Sequence, residues 1–238
     1  EALADACPRV RLIRNGRTHE GRPLVTALVT AEEHMERLGE ILQAYARLAD
    51  PRVDHPTEPG DLPVCIWIGA CVHGDEVSGT EAALEVAYHL AAGTDEETRE
   101  LRERLLVLIE PVMNPDGRDR AIGSWQSLAG AVPDADDQSL RHRGYWSGGR
   151  TNHYFFDLNR DCFLATQPEF AARLQLITSW NPQVLIDAHE MGAQATFLFS
   201  PPREPNNPLV TDLQRRWWAV FAADHAAAFD REGWPYYT

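Results

Sequence analysis

His73-Gly-Asp-Glu76 places an imidazole and a carboxylate on one glycine-containing turn, so that both can face one ion from a single loop. His189, far along the chain, offers a second imidazole. Two histidines and one glutamate, with a fourth position left for water, form the donor set of catalytic rather than structural zinc. Taken alone, H-x-x-E recurs by chance and reads more readily as a solvated loop. Its weight comes from the motifs that follow it in order: Asn114-Pro-Asp-Gly117, Asp157-Leu-Asn-Arg160 and Asp187-Ala-His-Glu190.

Such residues need elements that bring distant segments together. Leu24 to Val29 reads as a strand, and Ala31 to Leu48 as a helix with Met35, Leu38, Ile41, Leu42 and Tyr45 on its apolar face. Val64 to Ala70 is an apolar run of the kind found in a buried central strand. Ser78-Gly-Thr-Glu81 has the form of a capping box opening a helix through Ala82 to Ala92, which leaves His73 to Glu76 as loop. Leu105 to Ile109 is a further strand, stopped by Pro111 and followed by an Asn-Pro-Asp-Gly sequence that suits a type I turn. Thr166-Gln-Pro-Glu169 has the form of a second capping box, for a helix to about Trp180. Val184 to Ala188 then forms a strand that delivers His189. Strand ends thus carry the unusual residues, and ligands of open α/β sheets bind outside the carboxyl ends of the strands. A last helix, Leu209 to Phe229, repeats Leu213, Trp217, Val220, Phe221 and Ala228 at helical spacing and is expected to pack them in a core.

With 238 residues and 44% hydrophobic composition, the chain is expected to form a single α/β domain over 1–238. A formal net charge of −14 opposes a phosphate backbone, which argues against nucleic acid as a partner. No stretch approaches the roughly 20 apolar residues of a membrane span. Cys7, Cys65, Cys71 and Cys162 include no CxxC pair and read as free thiols, with a disulfide left open. Asp134-Ala-Asp-Asp137 lacks a full calcium-ligand loop and reads as solvated. His19, His34, His55, His89 and His225 stand outside any motif, while His142 and His153 flank Arg141, Arg143 and Arg150.

Taken jointly, the order H-x-x-E, NPDG, Asn-Arg and a distant lone histidine resembles the zinc metallocarboxypeptidases, the carboxypeptidase A-like family, over about residues 10 to 200. The resemblance implies a three-layer α/β/α sandwich around a mixed, mostly parallel twisted sheet. It also implies one zinc ion per chain, held by His73, Glu76 and His189. By the same resemblance, Asp157 accepts the second ring N–H of His73, and Asn159 and Arg160 hold the terminal carboxylate of a peptide or amino-acid conjugate. An upstream arginine of the family polarises the scissile carbonyl; Arg150 stands nearest its place, whereas Arg141 and Arg143 fit a longer spacing. The implied reaction is hydrolysis of a C-terminal peptide or related amide bond. The wording Asp157-Leu-Asn-Arg-Asp161 and His189-Glu-Met-Gly192 is similar to that of large bacterial members that are often exported, which implies a periplasmic or secreted protein.

The sequence departs from the family at the general base, a glutamate downstream of the last zinc ligand, and at the tyrosine before it. Glu190 adjoins His189, so a regular strand turns it to the opposite face. Glu232, Tyr236 and Tyr237 have no matching context. The chain is therefore expected to be part of a longer catalytic domain, incomplete at both ends, with its base outside. Two other readings use the same residues: an aspartoacylase-like zinc amidoacylase acting on small N-acyl amino acids, and a non-catalytic module that binds zinc and peptide C-termini.

Overall fold

A computed structural model describes residues 1–53, 60, 62–143, 146–192 and 195–237. Most of the expected 51–63 loop, with His55, lies outside the described residues, as does Thr238. The chain forms two compact units, Glu1–Glu190 and Met191–Thr238.

The first unit begins with α1 (Ala2–Ala6), β1 (Val10–Arg17), β2 (Pro23–Val29), α2 (Glu32–Glu36), α3 (Leu38–Ala49) and β3 (Val64–Ala70). It continues with α4 (Ser78–Ala92), α5 (Glu96–Arg104), β4 (Leu105–Glu110), α6 (Pro115–Ser127), α7 (Leu140–Arg143), α8 (Pro168–Trp180) and β5 (Val184–Ala188). Its sheet has the order β1-β2-β4-β3-β5. Strands β3, β4 and β5 are parallel; β2 runs against β4 and β1 against β2, so β2 alone is reversed. The expected mixed, mostly parallel sheet is what forms.

Alternation along the strands separates two cores, because successive side chains leave opposite faces. Leu106 and Leu108 join Leu28 and Trp67 under α3 (Leu38, Ile41, Tyr45) and α8 (Leu176, Trp180). Val107 and Ile109 join Val29 and Ala70 under α4 (Ala83, Ala87, Leu90). The sheet is thus the middle of three layers. Leu24, Leu28, Leu106 and Leu108 are fully buried, and each contributes about 2 kcal/mol. Because β3, β4 and β5 point the same way, the loops that follow them emerge on one edge of the sheet.

Several local expectations need correction. The helix expected over 31–48 breaks at Arg37, whose φ of −97° and ψ of 12° leave helical geometry. Gly39, a weak helix former, lies beside the break, and Met35 and Leu38 are buried on either side of it. The Asn114-Pro-Asp-Gly117 sequence is not an isolated turn but the start of α6, with Asn114 as N-cap and Pro115 in the first turn. Neither expected capping box forms: α4 and α8 lack a side-chain cap from Val77 or Gln167. Asp161 takes over at α8, accepting from the N–H groups of Thr166 and Gln167. Strand β1 was hidden by its arginines and its Asn15-Gly16 pair, which sits at a register shift against β2. Helix α5 was hidden by its charge; it buries Thr98 and Arg102, with Arg102 donating to the carbonyls of Leu90 and Gly93.

The second unit pairs β6 (Phe197–Leu198) in parallel with β7 (Tyr236–Tyr237) beside α9 (Asp212–Glu232). Thr211 and Gln214 form a capping box at the start of α9. Phe197 and Phe199 stack edge-on against Phe229, each with ring centroids 4.8 Å apart. The core role expected for Leu213, Trp217, Val220 and Phe221 is not met, since α9 buries none of its residues. Strands of two residues reach only its last turns. Among the described residues, no helix is long and apolar enough to cross a membrane.

Candidate metal centre

Strand β3 ends at Ala70, and Cys71 turns the chain sharply with a φ of 59°, in the left-handed region. The next loop is pinned to the end of β4 by backbone bonds from Met113 N–H to Ala70 and from Asn114 N–H to Cys71. The buried Asn114 side chain accepts from Gly117 N–H at 2.9 Å and donates to the carbonyls of Val72 and Arg150, at 3.2 and 3.3 Å. One amide therefore caps α6 and ties together the loops that carry His73 and Arg150. Asn114→Ala removes the cap and strands two carbonyls, and is expected to cost about 3 kcal/mol in a urea unfolding curve; a loss below about 1 kcal/mol would mean that the cap alone matters.

His73 is 3% exposed. Its Nδ1 lies 2.6 Å from Glu76 Oε1, and His189 Nδ1 lies 3.0 Å from Glu76 Oε2. One ligand atom from each of His73, Glu76 and His189 falls within 4.8 Å of the others, a spacing that a single ion can span. Among the described residues this is the one such group. Two imidazole nitrogens and a carboxylate oxygen are the donor set that zinc takes in open sites, so the residues fit that metal.

Asp157 joins the group from the other side. Its Oδ1 lies 3.3 Å from His73 Nε2, while its Oδ2 accepts from Arg150 Nε at 3.1 Å. Partial burial pushes the Asp157 carboxyl up, but the Asn159 N–H, Arg150 and His73 outweigh it and hold the group below its ordinary value. Asn159 Nδ2 lies 3.3 Å from His189 Nε2, and the exposed Arg160 donates to the Asn159 carbonyl at 3.0 Å. His73, Glu76, His189, Asp157, Asn159 and Arg150 are thereby brought together, while among the described residues the Arg160 guanidinium bonds only the carbonyl of its neighbour Asn159. Arg143, at the end of α7, instead lines a hollow of 430 Å³ with Asp75, Trp125 and Trp146.

Residues 1–216 match the family described as zinc carboxypeptidase. The chain belongs to the zinc carboxypeptidase family. Its cofactor is accordingly zinc. Comparison with curated protein sequences returned no match. Among solved structures, a metallo-carboxypeptidase from Burkholderia cenocepacia superposes with a TM-score of 0.65 at 20% identity, covering 95% of this chain and 48% of that one. Carboxypeptidase A from Helicoverpa armigera gives 0.58 at 15% identity, covering 96% and 51%. A Pseudomonas aeruginosa metallo-carboxypeptidase, solved with (2-guanidinoethylmercapto)succinic acid, gives 0.57 at 18%, covering 95% and 47%. At these identities the likeness is one of fold, and this chain spans about half the length of those structures.

Other parts of the chain serve the centre in ways that local sequence did not signal. Arg120 on α6 donates to the carbonyls of Ser147, Gly148, Thr151 and Asn152, shaping the loop that carries Arg150. Glu190, as expected, does not aim its carboxylate at the ligand group. Its N–H donates to Glu76 Oε2 at 3.1 Å, and its carboxylate accepts from Ser78 N–H at the start of α4. It thus supplies the negative charge that a helix N-terminus favours, from a strand end far away in sequence. Glu190→Ala should lower the unfolding free energy by about 1 kcal/mol; thermal unfolding of the metal-free protein measures this, and an unchanged midpoint would show that the cap is dispensable.

Four of the remaining histidines have local partners: His19 meets Gln167, His34 Thr30, His89 Thr98, and His153 Glu20. The cysteines are free; Cys65 and Cys71 are buried, and burial pushes the Cys65 thiol up to about 12. Asp134 and Asp136 accept from backbone N–H groups two residues ahead, as turn residues do.

Proposed function

We propose that this chain is the metal-holding part of a carboxypeptidase that removes residues from the C-terminus of peptides, and that His73, Glu76 and His189 are its zinc ligands. The observation that carries the reading is the convergence of these three side chains, with Asp157 behind His73, on the edge where β3 and β5 end. When bound, zinc supplies a water acidified to a pKa of about 7 and polarisation of the scissile carbonyl.

The protein's own groups do the rest. Asp157 keeps the His73 ring proton on Nε2, so that Nδ1 presents its lone pair. Asn159 and Arg160 take the substrate's terminal carboxylate, the guanidinium by two parallel bonds and the amide by a third. Arg150, half-exposed beside Asp157, meets the carbonyl oxygen as negative charge builds on it. The resemblance makes the general base a glutamate, and no residue of this chain is assigned that role.

The test is hydrolysis by the full-length gene product of a peptide with a free C-terminus, the same peptide amidated, and an N-acyl amino acid. Cleavage of the first alone is expected, and Arg160→Ala should raise its KM by at least about tenfold. Preference for the N-acyl amino acid would favour an amidoacylase instead, and tight peptide binding without turnover a non-catalytic module.

A further inference from the structure

Asp187 is the penultimate residue of β5 and stands two residues before His189, which follows the strand. Its Oδ2 lies 3.2 Å from His189 Nε2, the ring nitrogen opposite the one that faces Glu76. Asp157 stands in the same relation to His73, at 3.3 Å from its Nε2. A histidine that gives one nitrogen to a metal carries its proton on the other, and a carboxylate accepting that proton fixes the tautomer and raises the basicity of the ligand.

We infer that Asp187 is the positioning residue of the third metal ligand, so that each histidine of the centre is backed by its own carboxylate. The inference rests on reading His73, Glu76 and His189 as the zinc ligands. Strand pairing gives Asp187 a fixed seat: it lies opposite Gly69 of β3, which in turn lies opposite Glu110 of β4. Glu110 is fully buried beside Arg173, so this cross-strand row is anchored in the core at one end and reaches the metal centre at the other.

Asn159 Nδ2 lies 3.3 Å from the same ring nitrogen, which makes it the competing partner. With the metal on Nδ1, Nε2 bears the proton and needs an acceptor. A carboxylate only accepts, whereas the NH₂ end of an amide only donates and must turn its oxygen inward to serve. Asp187 is therefore the partner that matches the metal-bound tautomer. Its side chain is 45% exposed against 21% for Asp157, and solvent weakens its bond, so its removal should have the smaller effect.

The experiment measures zinc affinity of the whole chain by competition with a chromophoric chelator, the visible spectrum of the cobalt-substituted protein, and thermal unfolding without metal. In Asp187→Ala, zinc binding should weaken by about tenfold, the low end of the 10- to 100-fold range for such partners. The cobalt bands should shift, while the metal-free unfolding midpoint stays in place. Asp187→Asn keeps an oxygen acceptor and should restore most of the affinity. Asp157→Ala should lose more, and the double variant more than either. Zinc affinity within about twofold of the parent in Asp187→Ala overturns the inference, as does an equal loss in Asp187→Asn or a fall in the metal-free midpoint that accounts for the change. A parent chain that binds no zinc would instead refute the ligand assignment, and the inference with it.

Discussion

Replacing His73 by alanine will leave the protein unable to retain zinc. After dialysis the parent chain should hold about one equivalent, and His73→Ala below about a tenth of one, measured by atomic emission. An open zinc site has three protein ligands, and this change removes the one held most firmly. His73 is 3% exposed, its loop is bonded to the end of β4, and its ring lies between Glu76 and Asp157. Asp157, with Arg150 on its other oxygen, would keep its charge but lose the ring it orients, so the loss should exceed the 10- to 100-fold cost of removing an outer partner. Added zinc should raise the melting temperature of the parent and leave that of His73→Ala unmoved, because a ligand stabilises only the state that binds it. His153→Ala is the control: His153 pairs with Glu20, outside the ligand group, and its zinc content should match the parent. Stoichiometric zinc in His73→Ala would rule out the ligand assignment.

Gly74→Ala will be the most damaging single-methyl change at the centre, although it alters no ligand. A Cβ at Gly74 would stand 2.1 Å from Arg118 N and 2.2 Å from the carbonyl carbon of Gly117, backbone atoms with no rotamer to turn away. The crowding continues outward. A Cβ at Gly117 would meet Gly149 O at 2.4 Å, and one at Gly149 would meet Asp75 N at 2.8 Å. Gly74 N–H already donates to Gly149 O at 2.9 Å. The loops carrying His73, Asn114 and Arg150 therefore touch main chain to main chain, and one added methyl must push them apart.

Because overpacking against backbone exceeds the ordinary 1–3 kcal/mol range, Gly74→Ala is expected to cost at least about 3 kcal/mol in urea unfolding, with zinc affinity falling as well. Gly123→Ala is the contrast. Gly123 lies within α6 with nothing inside 4 Å of an added Cβ, and the change should stabilise by about 0.5–1 kcal/mol through helix propensity. A Gly74→Ala variant within about 1 kcal/mol of the parent would show that the loops are not packed as tightly as this.

Glycine at position 74 could be read from the sequence as allowing a tight turn, but its use is different. Its φ is not in the left-handed region; what it supplies is room for two other loops. The same division runs through the chain. The strands Val64–Ala70 and Val184–Ala188 were legible to the residue, because short apolar runs bounded by breakers state their own length. That His73, Glu76 and His189 could face one ion was legible through residue types and the order of motifs, and the structure does bring one donor atom from each within 4.8 Å of the others. Helix starts were less so. Ser78-Gly-Thr-Glu81 has the local form of a capping box, yet the cap of α4 is Glu190. Thr166-Gln-Pro-Glu169 has the same form, yet Asp161 supplies the bonds. Strand β1, with its arginines and Asn-Gly pair, counted as a strand only once β2 lay beside it.

By itself, then, the sequence determined which side chains are candidates to hold a metal and which short apolar segments form strands, because both follow from residue type and near-neighbour spacing. Only the tertiary structure decided what holds those side chains in place: Asn114 bridging two loops, Arg120 gathering carbonyls, Glu190 capping a distant helix. Each depends on groups brought together across the sheet, and a hydrogen bond made at 3 Å between residues far apart in sequence leaves no periodicity and no local motif by which to see it.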